Sequence, residues 1–158
     1  MLRARALIVL TALAGMGCGP ATNSSQSSVR VLASEKVRPQ TQDPEVYLVG
    51  LDRARLRAAW DRYHFHASVP TDVDLRQYGV LVVGTGEGHG CPKHPTALQV
   101  FRHPPMVIVT MKTNTKGPCA KDFTPRSFAV LIPHGVAADP HLRVRIPGAS
   151  RDSVRLGE

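Results

Sequence analysis

Three residues that can bind a metal or take part in redox chemistry lie within one short segment of the chain. The run from His89 to His94 reads His-Gly-Cys-Pro-Lys-His, so two imidazoles flank the thiol of Cys91. Imidazole and thiolate are ligands that zinc and copper accept readily. A second cysteine, Cys119, lies in another Gly/Pro-rich segment, and two such cysteines form a disulfide in an oxidising compartment. The sequence therefore predicts a Cys91–Cys119 disulfide, and the alternative is a metal or redox site at His89, Cys91 and His94.

The remaining cysteine, Cys18, follows a segment with the properties of an export signal. Two arginines precede the apolar stretch 6–14, and small residues lead into the cysteine. This order is typical of a secretory signal peptide. The segment 13–18 (Leu-Ala-Gly-Met-Gly-Cys) resembles the bacterial lipobox, which implies that residues 1–17 are removed and that Cys18 is acylated. We therefore expect an exported protein that is anchored to a membrane by lipid and faces the periplasm or the cell exterior.

The acidic and glycine-rich segments do not form a recognisable catalytic set. Asp72, Asp74, Glu87 and Asp122 have no spacing that indicates an acid–base pair, and the first two are expected to be solvated or to cap turns. The segment 84–88 is Gly-rich but lacks the Lys-Ser/Thr ending of a phosphate-binding loop. A disulfide would also remove both candidate cysteine nucleophiles. The sequence predicts a protein that is not an enzyme and that needs no cofactor.

The elements that position these residues are predicted from the hydrophobic pattern. Apolar residues with the spacing of one helix face predict a helix over about 52–63, capped by Asp52 and anchored by Trp60. Short apolar runs predict six strands, of which the third and fourth form a hairpin around His103-Pro104-Pro105: 46–49, 79–84, 98–102, 106–112, 127–132 and 142–146. The predicted fold class is α+β, mainly antiparallel β, as a small sandwich or half-barrel with one packed helix and one disulfide.

Composition divides the chain into a signal peptide (1–17) and three further segments. Residues 18–44, starting at the lipidated cysteine, are rich in Ser, Thr, Gln, Asn and Pro and are predicted to be a disordered tether. Residues 45–147 contain nearly all the apolar runs and are predicted to form the β-rich globular domain. Residues 148–158 are expected to be a flexible tail.

The chain is basic, with a formal net charge of +8. A basic balance favours anionic partners. The Lys and Arg residues are scattered, and no aromatic residues are interleaved with them, so nucleic acid is not an expected partner. The expected partners are the membrane, through the lipid anchor, and either an anionic envelope polymer or another envelope protein.

The order of strands and turns resembles that of small uncharacterised secreted bacterial lipoproteins. The resemblance covers about residues 45–146 and rests on the strand Val80 to Gly84 and on five phrases: Val73-Asp74-Leu75, Gly90-Cys91-Pro92, Cys119-Ala120-Lys121-Asp122, Pro125-Arg126-Ser127 and Pro133-His134-Gly135. The order of helix, strand, Gly-rich loop and hairpin is also distantly similar to the small β-domain of protease-complex accessory subunits. These resemblances imply a fold more than a function, because their motifs are turns and a disulfide.

The functional hypothesis combines these observations. The sequence predicts a non-catalytic, membrane-anchored envelope lipoprotein that acts as a binding or scaffolding module. The alternative, from a different class, is a periplasmic metal-binding or redox protein that uses His89, Cys91 and His94.

Overall fold

The computed structural model describes residues 24–36, 47–88, 90–115, 117–119, 124–148 and 154–155. These residues form strands and two helices in an α+β arrangement, which confirms the predicted fold class. In chain order the elements are β1 (Ser24–Ser28), β2 (Val31–Glu35), β3 (Tyr47–Gly50), α1 (Arg53–Arg62), β4 (Tyr78–Glu87), β5 (Lys93–Arg102), β6 (Pro105–Thr113), β7 (Thr124–Pro133), α2 (His134–Ala137), β8 (Arg143–Arg145) and β9 (Val154–Arg155).

The strands form two open sheets that pack face to face. One is five-stranded, in the order β1-β5-β6-β8-β9, and the other is four-stranded, in the order β2-β7-β4-β3. Every neighbouring pair is antiparallel except β6 and β8, which run parallel. Neither sheet closes on itself, and the two share one core, so the fold is the sandwich form of the prediction.

The main core lies between the two sheets. Alternate residues of β5 and β6 point inward, as the buried Leu98, Val100, Val107 and Val109 show. They meet the inward residues of β4 and β7 in one cluster of buried aliphatic side chains and one aromatic, Phe128. The opposite faces of β4 and β7 are buried as well, which explains why both strands have nearly continuous apolar sequences.

Helix α1 covers the other face of the four-stranded sheet and forms a third layer. It begins where Asp52 accepts a hydrogen bond from the Arg55 backbone N–H at 2.8 Å, as the predicted N-cap requires. Trp60 is 3% exposed and packs with Val80 and Val82 of the sheet, so its predicted role as the helix anchor is confirmed. The indole Nε1–H donates to the carbonyl of Ala67 at 2.8 Å, which satisfies the polar atom that burial would otherwise penalise.

The C-terminus of α1 is a Schellman motif with histidine in the left-handed position. His64 has φ of 50°, and its N–H donates to the carbonyl of Asp61. The N–H of Phe65 reaches back to the carbonyl of Trp60, closing the wider bond of the motif. The Phe65 ring then packs on Trp60 with centroids 4.8 Å apart. The chain therefore turns sharply after α1, and Phe65 joins Trp60 in the apolar cluster between the helix and the sheet.

Two connections cross from one sheet to the other at the same end of the sandwich. The β4–β5 connection is a tight turn in which the Cys91 N–H donates to the Gly88 carbonyl, and Gly90 supplies the positive φ of 79°. The β6–β7 connection contains Cys119. A disulfide joins the two cysteines, whose Cα atoms are 5.4 Å apart, so the predicted Cys91–Cys119 bond is confirmed. We call this end of the molecule the disulfide end.

The expected disordered tether over 18–44 is wrong for the residues 24–36. Residues 24–28 pair with β5, and residues 31–35 pair with β7, so one strand is added to the edge of each sheet. All five side chains of β1 are exposed, and only Ala33 of β2 is buried. Edge strands of this kind are held mainly by backbone hydrogen bonds, which leave no apolar alternation in the sequence.

Smaller differences occur at strand ends. The predicted strand 79–84 is longer in the structure, because β4 continues to Glu87 and the glycines in it still offer their backbone groups to the ladder. The turn expected at Pro133-His134-Gly135 opens the short helix α2, which approaches β4 so closely that a Cβ on Gly79 would lie 2.5 Å from that of Ala137. The flexible tail expected over 148–158 is wrong for Val154–Arg155, which pairs with β8.

Candidate functional site

The charged residues on the strands of the five-stranded sheet are all basic. Its strands contain no Asp or Glu, and their basic residues are Lys93, Arg102, Lys112, Arg143, Arg145 and Arg155. The described carboxylates lie on the four-stranded sheet, on α1, and in the connections. Because like charges on one sheet raise its potential together, this layer forms a basic surface that attracts anions.

The surface of this sheet that points away from the core combines apolar and basic side chains. The register places Phe101 beside Met106, and Met106 beside Arg143, in one row across three strands. The next row brings together Ile108 and Arg145. We call this surface the outer face; it also includes Ala97, Gln99 and Thr110. Phe101, Met106 and Ile108 are half-buried, whereas both arginines are exposed.

The first residues of β1 lie at the end of the outer face that carries the β5–β6 turn. Ser24 pairs with Phe101, and Arg102 and His103 follow at the tip. Ser24, Ser25, Arg102 and His103 line an open cleft of 460 Å³ together with Val100. We call this the hairpin end; β5 is 10 residues long, so it lies about 30 Å from the disulfide end.

The alternative metal site loses its sulfur ligand to the disulfide. Cys91 is 2% exposed and bonded to Cys119, so it has no thiolate to offer. His94 lies on β5 and is half-buried, while His89 lies outside the described residues. Within the part of the chain that the structure describes, no three His, Cys, Asp or Glu side chains are grouped as metal ligands.

A buried ion pair fastens the strands beside the disulfide. Arg126 Nε–H donates to Glu87 Oε1 at 2.9 Å, and the two side chains are 17% and 5% exposed. The other oxygen of Glu87 accepts the Lys93 backbone N–H at 2.8 Å. Arg126 also donates to the hydroxyl of Ser34 in β2, at 3.3 Å. Glu87 therefore connects β4, β5 and β7, and both of its carboxylate oxygens take part in these contacts.

The carboxylates of a second open cleft also make structural contacts. This open cleft of 830 Å³ lies between the start of α1 and the segment 71–76, and Arg53 donates to the carbonyls of Thr71 and Val73 at its wall. Asp74 caps a turn by accepting the Arg76 N–H, and the exposed Asp72 pairs with Arg30 at 3.2 Å. These geometries agree with the predicted solvated and capping roles of both residues.

The export and anchoring predictions concern residues that the structure does not describe. Residues 1–17 and Cys18 lie outside the described residues. Among the described ones, neither helix is long and apolar enough to cross a bilayer. The disulfide is compatible with a periplasmic or extracellular location.

The basic sheet was not anticipated, because the Lys and Arg residues are scattered in the sequence. One signal was nevertheless present: no Asp or Glu occurs between Glu87 and Asp122, and this stretch supplies β5 and β6. Strand pairing then adds the two arginines of β8, which are distant in sequence.

No family model matches this sequence, and no curated protein and no solved structure matches it either.

Proposed function

We propose that this protein is an exported, lipid-anchored, non-catalytic module that binds an anionic partner in the cell envelope through its outer face. The observation that carries the proposal is the charge pattern of the five-stranded sheet, which has basic residues but no carboxylate. Exposed arginines beside half-buried apolar side chains can pair with anionic groups and at the same time bury apolar surface.

Two features support export and anchoring. A disulfide between sheet-crossing loops is stable outside the reducing cytoplasm. The lipobox-like sequence before Cys18 supplies a residue for acylation, and several acyl chains hold a protein firmly on a membrane.

The absence of an enzymatic role is supported by what the reactive groups contact. Both described cysteines are consumed by the disulfide. Glu87 is held by Arg126 and Lys93, and Asp52 and Asp74 accept backbone N–H groups. These contacts give each carboxylate a structural role, whereas a catalytic acid or base is positioned toward a substrate.

The test is intact mass and thiol labelling of protein extracted from the envelope. We expect an acyl group on Cys18, no labelling before reduction, and two labelled cysteines afterwards. After a high-salt wash, which removes charge-mediated binding, Cys18→Ser should move the protein from the membrane fraction to the soluble fraction, whereas Ser28→Ala, a matched small change in the exposed strand β1, should leave it with the membrane. An unacylated Cys18 would contradict the anchor.

The same material tests the metal alternative. Protein purified without chelators should contain no stoichiometric zinc or copper and should label at Cys91 and Cys119 only after reduction. Stoichiometric metal together with labelling before reduction would contradict the proposal and would favour a metal site at His89, Cys91 and His94.

A further inference from the structure

We propose that the anionic partner is the lipid bilayer itself, and that the hairpin end of the outer face lies against the anionic headgroups of the membrane that holds the anchor. This inference rests on the proposed function, since it takes the lipid on Cys18 as its starting point. It adds the partner's chemistry, the contact surface and the orientation of the domain.

The first argument is the short distance between the anchor and the sheet. Only residues 19–23 separate Cys18 from Ser24, the first residue of β1. An extended chain of this length spans at most about 20 Å. A tether reaching to residue 44 would let the domain move far from the membrane, but the pairing of β1 with β5 removes most of that length. The lipid therefore holds the hairpin end close to the bilayer, and the disulfide end is farther away.

The second argument is that the hairpin end carries the groups that a bilayer surface favours. Ser24 shares a row with Phe101 and Met106, Arg102 lies at the tip, and Arg145 lies in the next row. Half-buried apolar side chains can enter the headgroup region, and arginines pair with lipid phosphates. The row begins at Ser24, the described residue nearest Cys18, so a lipid on Cys18 and the arginines can contact the same membrane at once. The anchor raises the effective concentration of the arginines at the membrane surface, which strengthens their contact with it.

The third argument is the charge of the remaining surface. The opposite layer is mixed in charge, because the arginines of α1 lie among carboxylates such as Asp52, Asp61 and Asp72. The strands of the five-stranded sheet have basic residues and no carboxylate, so a membrane with anionic lipids attracts this sheet more strongly than the α1 side. At the hairpin end, Asp139 lies near Arg102 in a cleft, but its Oδ1 accepts the His141 N–H at 2.8 Å. The charge distribution and the anchor therefore select the same orientation.

The experiment uses the mature chain from residue 18 with Cys18→Ser, which keeps every described residue and has no lipid. Its binding is measured by co-sedimentation with vesicles of phosphatidylcholine alone and with vesicles that also contain phosphatidylglycerol. We expect binding to the anionic vesicles only, and weaker binding at high salt. In the double variant Arg102→Gln/Arg145→Gln, the partition coefficient should fall about fivefold for each arginine removed, or about twenty-five-fold in total.

The matched control is Arg57→Gln/Arg62→Gln, which removes the same charge from exposed positions of α1. It should change vesicle binding by less than about twofold, because these arginines face away from the bilayer. A second readout is Phe101→Trp, whose added fluorescence should shift to the blue on anionic vesicles, while the buried Trp60 contributes an unchanged background. Circular dichroism and the unfolding temperature verify that the variants are folded.

Three outcomes would overturn the inference. The two double variants could lose binding equally, which would mean that net charge alone acts. The chain could ignore anionic vesicles but bind a soluble anionic glycopolymer, which would make the polymer the partner. It could also bind neither. If mass spectrometry finds lipid on Cys18 in any of these cases, the proposed anchor stands and only the membrane-facing surface is wrong. If Cys18 carries no lipid, the anchor fails whatever the vesicles show.

Discussion

At the scale of single residues, Glu87–Arg126 is the most buried ion pair among the described residues. Both side chains are mostly removed from water, and each has hydrogen-bond partners beyond the other. Removing one partner of such a pair leaves a buried charge without compensation, which costs more than the pair itself contributes. The two residues should therefore behave as a unit.

We expect Arg126→Met to lower the free energy of unfolding by about 3 kcal/mol, because the Glu87 carboxylate is then buried without a cation. Adding Glu87→Gln should restore part of this loss, since the amide oxygen still accepts the Lys93 N–H while the buried charge is gone. Urea unfolding of both variants and of Glu87→Gln alone gives the coupling energy. Strictly additive losses would contradict the coupling.

His64 occupies a position that glycine normally fills. Its φ of 50° places Cβ close to the backbone, which disfavours residues other than glycine. Relief of this contact in His64→Gly should stabilise the protein by about 1 kcal/mol. The net gain should be somewhat smaller, because glycine has more conformational entropy in the unfolded chain. Ser68→Gly, at an exposed position four residues on without a positive φ, is the control and should not stabilise. Equal effects of both changes in thermal unfolding would show that the helix end is not strained.

At the scale of elements, β2 is attached at its far end by an ionisable contact. The Glu35 carboxylate accepts the backbone N–H of His66 at 3.1 Å and lies 3.0 Å from the His66 Nδ1. The backbone hydrogen bond, and then the side-chain one, hold the pKa of Glu35 below its usual value of 4.5. A carboxyl group with a lowered folded-state pKa stabilises the protein above its unfolded-state pKa, and that contribution disappears as pH falls through the folded-state value.

Glu35→Gln should therefore be less stable than the natural chain above about pH 4.5, and the difference should shrink as the solution is acidified below that value. Chemical unfolding across this pH range measures the difference. Asp61→Asn on the exposed face of α1 controls for the general loss of a negative charge. A difference that stayed constant through the acidic range would mean that Glu35 does not join β2 to the segment after α1.

The elements that the sequence predicted well share one property, which is that they bury side chains. Helix α1, the long strands β4 to β7 and the disulfide all follow from apolar spacing or from paired cysteines. Strand β1 has the sequence Ser-Ser-Gln-Ser-Ser and buries none of its side chains. Its pairing with β5 depends on backbone hydrogen bonds, which leave no pattern in the sequence. The candidate surface was missed for a related reason: Arg143 and Phe101 are brought together by strand register, which local patterns do not encode.

At the scale of the whole molecule, the sandwich has two structurally different ends. The hairpin end holds the start of β1 and the basic tip, while the disulfide end holds the β4–β5 and β6–β7 connections. The disulfide joins loops that would otherwise let the two sheets separate, so it stabilises the core between them. The proposed membrane contact lies at the other end and does not depend on the sulfur atoms.

This separation leads to the last prediction. The cysteines are 28 residues apart, and removing the bond should lower the free energy of unfolding by about 3.5 kcal/mol through the loop entropy of the unfolded chain. The double variant Cys91→Ala/Cys119→Ala and the reduced natural chain should show similar losses in urea, with a small additional loss in the variant because Cys91 is buried. Below the unfolding transition, both should bind anionic vesicles as the oxidised chain does. Loss of vesicle binding in a chain that is still folded would show that the two ends are coupled.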